Sequence, residues 1–373
     1  MNKTCIALLT AILATWHAAS ALCAPIYQLT PLGFLPGRTD SWAFAINSSS
    51  EIVGTSGHAF LWTKSGGMQD FLGSGGTGIA ISDSGTIVGS APIANTSNSP
   101  GASGAFLWTA TGGMQALGTL GNASEADAIS SDGTIVGWST LKSGFRAPFI
   151  WTALGGMKQL GTVTNAIALG INSSGQVVGS SDSGLHVPYL WDAKTGSIQN
   201  LGTLGKSEGA ATAINTAGQV VGWIDSDLFI WTQAGGMRDL GHLGSGVANN
   251  PAINDLGQVV GSYTFATGGG SGFIWSQATG MRDLKSLVDS SANGWSLGRP
   301  MSINNVGQIV GVGTDRSGFN EAFLLTPLPE PSSLFLFAIG VLAIGGAATC
   351  RRHSRSASEC LICVRFDRRI RGL

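Results

Sequence analysis

The side chains capable of acid–base, nucleophilic or metal chemistry are few and far apart in this sequence. Of the five histidines, His17 and His353 lie close to the two ends, which leaves His58, His186 and His242 in the main body. No two of these have the spacing of metal ligands, and no His–Ser–Asp set suggests itself. We therefore predict no catalytic residue, no metal site and no cofactor.

The cysteines and the recurring aspartates do not indicate a reactive site either. All five cysteines lie within the first 23 or the last 24 residues, so a disulfide framework is excluded for the main body. Asp70, Asp239 and Asp283 recur at one position of a repeat. Because a catalytic acid is usually needed once, this recurrence favours a structural role.

Two glycine-containing patterns resemble ligand-binding loops but are better interpreted as turns. Residues 73–78 satisfy G-x-G-x-x-G, yet residues 79–82 predict a strand and not the helix that would hold a pyrophosphate. Residues 172–175 and 255–257 look like fragments of calcium loops, but each offers at most one carboxylate. Asn or Asp followed by Gly is typical of hairpin turns.

The tryptophans are the remaining candidates for ligand contact. Six of them lie in apolar blocks, where we predict packing between blades: Trp62, Trp108, Trp151, Trp191, Trp231 and Trp275. Four others fall outside these blocks and are our candidate ligand-contact residues: Trp42, Trp138, Trp223 and Trp295.

The main body is a repeat with a mean period of about 43 residues, which is typical of four-stranded propeller blades. A block of the type Ala-Ile-Asn precedes Ile/Val-Val-Gly seven times. The seven copies end at these glycines: Gly54, Gly89, Gly137, Gly179, Gly222, Gly261 and Gly311. A Phe-Leu-Trp block follows each copy, and its aromatic and aliphatic residues predict a buried strand. A Gly-Gly turn and a fourth strand follow the first six blocks.

The missing fourth strand of the last copy is found at the start of the body, at Tyr27–Gly33. We therefore predict an all-β fold, a seven-bladed β-propeller of four-stranded blades over residues 25–328, closed by this N-terminal strand. An open β-solenoid and two smaller β-domains remain as alternatives.

Variation in length is confined to one face of the predicted propeller. The turns after Ile-Asn and after the Phe-Leu-Trp block are short and uniform. The connections on the other face vary, and loops on a rigid scaffold are common binding sites. Our candidate contact loops are Ser90–Ala105, Ser262–Gly272 and Lys285–Arg299.

Both ends of the chain have the pattern of targeting segments. Residues 1–21 show the charge, apolar core and small residues of a secretory signal peptide. Residues 332–350 carry no charge and are long enough for one C-terminal transmembrane helix. Arg351, Arg352 and Arg355 follow, which predicts a basic cytoplasmic tail at 356–373.

The segment 329–355 closely resembles the PEP-CTERM sorting signal of Gram-negative bacteria that produce exopolysaccharide. The resemblance rests on Pro329, Glu330 and Pro331, the apolar stretch, and then Arg351 and Arg352. It implies an exosortase as partner, transient anchoring in the inner membrane, and delivery to the outer surface or extracellular matrix. A plain membrane anchor is the alternative.

The repeat blocks also resemble the HAF family of extracellular repeats, over Tyr27 to Thr326. The residues that carry this resemblance are Ala-Ile-Asn, Gly-Gln-Val-Val-Gly and His58-Ala59-Phe60. Only the first repeat keeps the histidine. The resemblance implies an extracellular location more than a chemistry.

Composition narrows the function further. Only 11% of residues are charged, and the body from Pro25 to Leu328 has 12 Lys/Arg against 18 Asp/Glu, a net charge of −6. This argues against nucleic acid as a partner. We predict a secreted or cell-surface, non-enzymatic propeller that binds polysaccharide or another component of the envelope or biofilm matrix.

Two other functions remain open: a structural spacer without a ligand, and a propeller enzyme acting on glycans. Such an enzyme would place carboxylates near the central channel in one or two blades only. We find no asymmetric cluster of this kind in the sequence.

Overall fold

The computed structural model describes residues 27–93, 103–162, 165–182, 186–241, 246–265 and 270–328. These residues form seven antiparallel sheets of four strands each. Each sheet is one blade, and neighbouring blades contact each other in a closed ring. The seven-bladed propeller predicted from the sequence is therefore confirmed.

The first strand of the chain, β1 (Tyr27–Pro31), belongs to the last blade. The other strands follow in chain order from the innermost to the outermost, four in each of blades 1 to 6 and three in blade 7. Blade 1 contains β2 (Trp42–Ile46), β3 (Ile52–Thr55), β4 (Ala59–Thr63) and β5 (Gly67–Asp70). Blade 2 contains β6 (Thr77–Ile81), β7 (Ile87–Pro92), β8 (Ser103–Thr109) and β9 (Gly113–Gly118).

Blades 3 to 5 repeat this order. Blade 3 contains β10 (Ser124–Ile129), β11 (Ile135–Thr140), β12 (Arg146–Thr152) and β13 (Gly156–Gln159). Blade 4 contains β14 (Ala166–Ile171), β15 (Gln176–Asp182), β16 (His186–Asp192) and β17 (Ile198–Asn200). Blade 5 contains β18 (Gly209–Ile214), β19 (Val220–Ile224), β20 (Asp227–Thr232) and β21 (Gly236–Asp239).

The ring is completed by blades 6 and 7. Blade 6 contains β22 (Gly246–Ile253), β23 (Val259–Phe265), β24 (Gly270–Ser276) and β25 (Gly280–Asp283). Two short 3-10 helices follow it, Lys285–Leu287 and Ser290–Ala292. Blade 7 contains β26 (Ser296–Ile303), β27 (Ile309–Thr314) and β28 (Asn320–Pro327), with β1 as its outermost strand.

The glycine that ends each Val-Val-Gly motif is required by close packing inside the blade. At Gly222, a Cβ atom would lie 2.0 Å from the carbonyl oxygen of Ala210 and 2.7 Å from the ring of Phe229. The inner strand bulges beside this position, between Ala211 and Ala213. Only glycine leaves room for both the bulged backbone and the aromatic ring.

Most of the aromatic rings over these glycines are fully buried. They are Phe60, Phe106, Phe149, Phe229, Phe273 and Phe323, each 0% exposed, and blade 4 has Tyr189 instead. The tryptophan of the same block packs beside them: Trp62, Trp151, Trp231 and Trp275 are buried, and Trp108 and Trp191 pack against core clusters. The block therefore has the packing role that its composition predicts.

The Asn-x-x-Gly segments are hairpin turns, as their composition indicates. Asn172 accepts hydrogen bonds at Oδ1 from the backbone N–H groups of Ser174 and Gln176, at 3.1 and 3.0 Å. Gly175 has φ 78°, a conformation that glycine adopts without strain. Among the described residues no cluster of acids, cysteines or histidines could hold a metal ion.

The N-terminal strand closes the ring. β1 pairs with β28 in antiparallel register from Tyr27 opposite Pro327 to Pro31 opposite Phe323. The outer edge of β1 is covered in turn by the segment after blade 6, where Asp289 donates its N–H to the carbonyl of Tyr27 at 2.9 Å. Both contacts remove strand edges that an open array would expose.

The propeller has two unlike ends, which we call the turn face and the loop face. The turn face carries the Asn-x-x-Gly turns and the turns between the third and fourth strands. The loop face carries the connections between the second and third strands and the links between blades. β28 runs toward the turn face, where the ring of Pro327 lies 3.3 Å from the Cβ position of Gly307.

Several predicted segments lie outside the described residues. They are the signal peptide 1–21, the span 332–350, the tail 356–373, and the sorting residues Pro329, Glu330, Pro331, Arg351 and Arg352. Within the part of the chain that the structure describes, no helix is long and apolar enough to cross a membrane.

Candidate functional site

A depression of about 320 Å³ opens on the loop face between blades 6, 7 and 1. The candidate residue Trp42 lines it from the start of β2, where the side chain is half-buried. The guanidinium carbon of Arg299 lies 5.6 Å from the centre of this indole ring. Ser296, Thr314 and Asn320 add polar groups to the wall.

The guanidinium of Arg299 is available for a ligand. No side chain among the described residues accepts a hydrogen bond from it, and the residue is exposed. None of the described residues that line this depression is acidic. The site therefore combines one aromatic ring, one fixed positive charge and several neutral polar groups.

Trp138 lies elsewhere on the loop face, in blade 3, and is already engaged. Its Nε1 donates a hydrogen bond to Oε1 of Glu125 at 3.2 Å. The guanidinium carbon of Arg146 lies 4.1 Å from the ring centroid and covers one side of the indole. A small cavity of about 140 Å³ beside Arg146 is lined also by Asn165 and His186.

The two other candidate tryptophans are less accessible. Trp223 is half-buried and packs against the core cluster between blades 5 and 6. Trp295 is only 5% exposed and belongs to the core of blade 7. Its position corrects our expectation of an exposed stacking surface, because the segment that carries it folds back to cover β1.

The same packing changes the interpretation of the candidate loop Lys285–Arg299. Leu287 and Ala292 are buried with Trp295, so the first part of this loop has a structural role. Arg299, at its end, lines the depression. The other two candidate loops, Ser90–Ala105 and Ser262–Gly272, are described except for residues 94–102 and 266–269.

The structure also shows an asymmetric pair of carboxylates that we did not find in the sequence. Glu125 and Asp127 both lie on β10, the inner strand of blade 3, and Asp127 occupies the bulge of that strand. The corresponding bulge residues of five other blades are uncharged: Phe44, Ile79, Leu169, Thr212 and Met301. The sequence signal was the alternation Glu125-Ala-Asp127, which places two carboxylates on one inner strand.

The two carboxylates have different environments. Burial raises the pKa of Asp127 well above its usual range, the charge of Glu125 raises it further, and Arg146 opposes both effects. Oδ2 of Asp127 is shielded from solvent and has no hydrogen-bond partner within the described residues. Glu125 accepts hydrogen bonds from Trp138 and, at 2.9 Å, from Oγ of Ser90.

On the turn face, a second cavity of about 240 Å³ opens at the centre of the ring. One isoleucine from each blade surrounds it: Ile46, Ile81, Ile129, Ile171, Ile214, Ile253 and Ile303. Its polar rim consists of the turn residues that follow these isoleucines.

A belt of asparagines joins the blades around this cavity. The Nδ2 of Asn254 donates to the carbonyl of Asn304 in the next blade at 3.0 Å, and Asn304 donates in the same way to Asn47 at 3.0 Å. Asn47, Asn172 and Asn215 make the same type of bond. Blades 2 and 3 carry Ser82 and Ser130 at this position. These contacts give the repeated asparagine a structural role.

The remaining polar candidates stabilise loops. Oδ1 of Asp70 accepts the N–H groups of Leu72 and Gly73, and its Oδ2 pairs with Nδ1 of His58 at 2.7 Å. Asp239 and Asp283 accept backbone N–H groups in the equivalent position. The recurring aspartate thus has the structural function that its recurrence indicates.

Comparison with known proteins identifies the C-terminal segment. Residues 327–352 match the PEP-CTERM protein-sorting motif. The chain therefore carries a signal for export and for recognition by an exosortase, as the sequence resemblance implied. No curated protein matches the chain, and the resemblance to HAF repeats stays a prediction.

Solved structures with a similar fold are distant. TolB from Acinetobacter baumannii is 10% identical with a TM-score of 0.43, over 65% of this chain and 64% of TolB. A gluconolactonase from Xanthomonas campestris is 10% identical with a TM-score of 0.42, over 83% and 92% of the two chains. A chain of the nidogen/laminin complex is 9% identical with a TM-score of 0.41, over 62% and 90%.

Proposed function

We propose that this protein is a secreted, non-enzymatic surface propeller that binds an uncharged polysaccharide in the loop-face depression. The observation that carries the proposal is the placement of Trp42 beside Arg299 in an open site whose other lining residues are uncharged. The PEP-CTERM motif at 327–352 supports a secreted surface protein as the setting.

The chemistry of the depression fits a sugar chain. The flat, apolar ring of Trp42 offers a surface for the C–H face of a sugar, and its burial on binding would supply much of the affinity. The guanidinium of Arg299 has donors for hydroxyl groups, and Ser296, Thr314 and Asn320 can both donate and accept. A ligand site of this kind is concave, with a few convergent polar groups.

The electrostatics favour a neutral polymer over an acidic one. The body has a net charge of −6, which repels a polyanion at long range. Arg299 alone would not compensate for this repulsion along an extended acidic chain. A neutral polysaccharide meets no such barrier.

The test is affinity electrophoresis of the full chain through gels that contain dextran, galactomannan or alginate. We expect retardation by a neutral polysaccharide and none by alginate. Trp42→Ala should weaken binding at least about tenfold, because truncating a central aromatic contact costs roughly 1.4 kcal/mol or more. Phe145→Ala removes an exposed aromatic ring elsewhere on the same face and should leave binding unchanged.

The outcomes separate this function from a spacer. Equal mobility with and without every polysaccharide would favour a spacer without a ligand. Retardation that Trp42→Ala and Phe145→Ala leave equally intact would place binding outside the depression.

A second candidate function, cleavage of glycans, is favoured by the carboxylate pair in blade 3. An acid with a raised pKa beside an ionised carboxylate is the arrangement that glycoside hydrolysis uses. Two features oppose it here: Glu125 is held by Trp138 and Ser90, and Oδ2 of Asp127 is shielded from solvent. Release of reducing ends from the bound polysaccharide, abolished by Glu125→Gln, would establish the enzyme and overturn the binding-only proposal.

A further inference from the structure

The turn face carries an apolar pair that breaks the pattern of the repeat. In each blade we compare the residue two positions after the asparagine or serine of the belt. This residue is small or polar in five blades: Ser49, Ser84, Asp132, Ser174 and Ala217. In blades 6 and 7 it is Leu256 and Val306, which are 69% and 62% exposed. Nothing in the fold of these turns requires an aliphatic side chain, since the other five blades form the same turn without one.

Hydrogen bonds join the two turns that carry these aliphatic residues. Asp255 donates its N–H to Oδ1 of Asn305 at 2.9 Å, and Nδ2 of Asn305 donates to Oδ2 of Asp255 at 2.8 Å. Leu256 and Val306 each follow directly after one member of this pair. The hydrogen bond from Nδ2 of Asn254 to the carbonyl of Asn304 joins the same two turns on the side of the central cavity.

The pair lies where the chain leaves the propeller. The ring of Pro327, at the end of β28, lies 3.3 Å from the position that a Cβ atom on Gly307, the residue after Val306, would occupy. The sorting motif begins at residue 327, within this strand. The uncharged segment predicted to span the membrane begins at 332, four residues after Leu328. Four residues can reach at most roughly 14 Å.

We propose that Leu256 and Val306 form a membrane-contact patch that lies on the bilayer surface while the chain is anchored by its C-terminal segment. The tether is short, so the edge of the turn face from which it starts must stay close to the lipid headgroups. Exposed aliphatic side chains at that depth insert into the headgroup and acyl boundary.

Two aliphatic side chains are too few to hold a protein on a membrane by themselves. Because the C-terminal segment already anchors the chain, further apolar side chains are not needed. Tethering converts their contact with lipid into an intramolecular event with a high effective concentration. The contact would end when the sorting enzyme cuts the chain. The two turns, 254–258 and 304–308, carry Asp255 and no Lys or Arg, so the patch does not depend on anionic lipid.

The proposal rests on the predicted span and is independent of polysaccharide binding. Its test uses the full chain with its five cysteines replaced by serine, and one new cysteine introduced by Leu256→Cys, Val306→Cys or Leu154→Cys. Leu154 is fully exposed on the same face, in the turn of blade 3, and serves as the matched control. Each cysteine is labelled with a polarity-sensitive fluorophore, and the chain is reconstituted into phosphatidylcholine vesicles, part of them with brominated acyl chains.

We expect blue-shifted emission and at least about twofold quenching by brominated lipid at 256 and 306, and aqueous emission at 154. Aqueous emission at all three positions in chains that float with the vesicles would overturn the patch. Chains that fail to float would overturn the predicted span and the patch with it. A blue shift at 256 and 306 that occurs only when the exosortase is reconstituted with the chain would assign the patch to contact with that enzyme instead of lipid. Retardation of each variant by dextran reports separately on the polysaccharide proposal.

Discussion

The turn face and the loop face of this propeller are built from the same strands but obey different constraints. On the turn face, five of seven blades repeat one asparagine, one hydrogen bond to the next blade and one isoleucine. On the loop face, equivalent inner-strand positions hold Trp42 in blade 1, Glu125 in blade 3 and Arg299 in blade 7.

The difference shows how a repeat protein separates stability from specificity. Residues that recur in most blades, such as the asparagines of the belt, bond to the neighbouring blade and maintain the ring. Residues that occur in one blade only, such as Trp42 and Arg299, take no part in the repeated hydrogen bonds that join the blades. We therefore expect stability to be most sensitive on the turn face and at the ring closure, and binding to be most sensitive on the loop face.

Both faces depend on a closed ring, so removal of the closing strand should have the largest effect. A chain that begins at Asp40 lacks β1 and loses the burial of Tyr27, Leu29, Leu32 and Leu35. At roughly 1.5–3 kcal/mol for each buried side chain, the loss is at least about 6 kcal/mol. Thermal unfolding of this chain against one that begins at Pro25 should show a large drop in midpoint or aggregation. Equal midpoints would contradict ring closure as a source of stability.

The turn-face belt should show the next largest effect. Asn304→Ala removes the bond to Asn47 in the next blade and leaves the backbone N–H of Gln308 without its acceptor. We expect a loss of about 2–3 kcal/mol in the free energy of unfolding by urea. Ser82→Ala, at the same position of blade 2, removes shorter-range bonds within its own turn and should cost about 1 kcal/mol or less. A similar loss in both variants would mean that the belt adds nothing beyond the turn.

Asp127 should make stability depend on pH in blade 3. Because its folded pKa lies well above the unfolded value of 3.8, the folded protein binds this proton more tightly. Its contribution to stability is therefore greatest below about pH 3.8 and falls as pH rises toward the folded pKa. Asp127→Asn should raise the melting temperature at pH 7 and leave it almost unchanged at pH 3.5. A lower melting temperature at pH 7 would show that the ionised carboxylate has a partner.

The smallest effect on stability is expected at the loop-face depression. The guanidinium of Arg299 has no acceptor among the described side chains, so Arg299→Gln should change the free energy of unfolding by less than about 0.5 kcal/mol. The same variant should weaken retardation by dextran several-fold. A large loss of stability with unchanged binding would reverse the roles that we assign to the two faces.

Much of the fold could be predicted from the sequence because its determinants are local and recur. The glycine of Val-Val-Gly, the Asn-x-x-Gly turns and the buried aromatic block each specify one part of a blade, and repetition makes them visible. Even the closing strand could be recognised, since Tyr27–Gly33 has the composition of the fourth strand that blade 7 lacks.

The sorting signal could also be recognised from the sequence, since it is a linear motif whose parts occur in order. For the candidate site, sequence reasoning selected both Trp42, which is half-buried and lines the loop-face depression, and Trp295, which is buried in the core of blade 7. The two cannot be distinguished locally, because the burial of Trp295 depends on β1, which lies about 260 residues earlier in the chain.

The number of blades, the turns and the closing strand could be predicted from local sequence, because hydrophobic period and turn chemistry act over a few residues. Which of the residues that occur in a single blade come together depends on how the blades are arranged in the ring. Arg299 reaches Trp42 because ring closure brings blade 7 beside blade 1. Oδ2 of Asp127 is shielded from solvent in the bulge of the innermost strand of blade 3. The turns that carry Leu256 and Val306 are hydrogen-bonded to each other because adjacent blades align equivalent turns, although 50 residues separate these two positions in the chain.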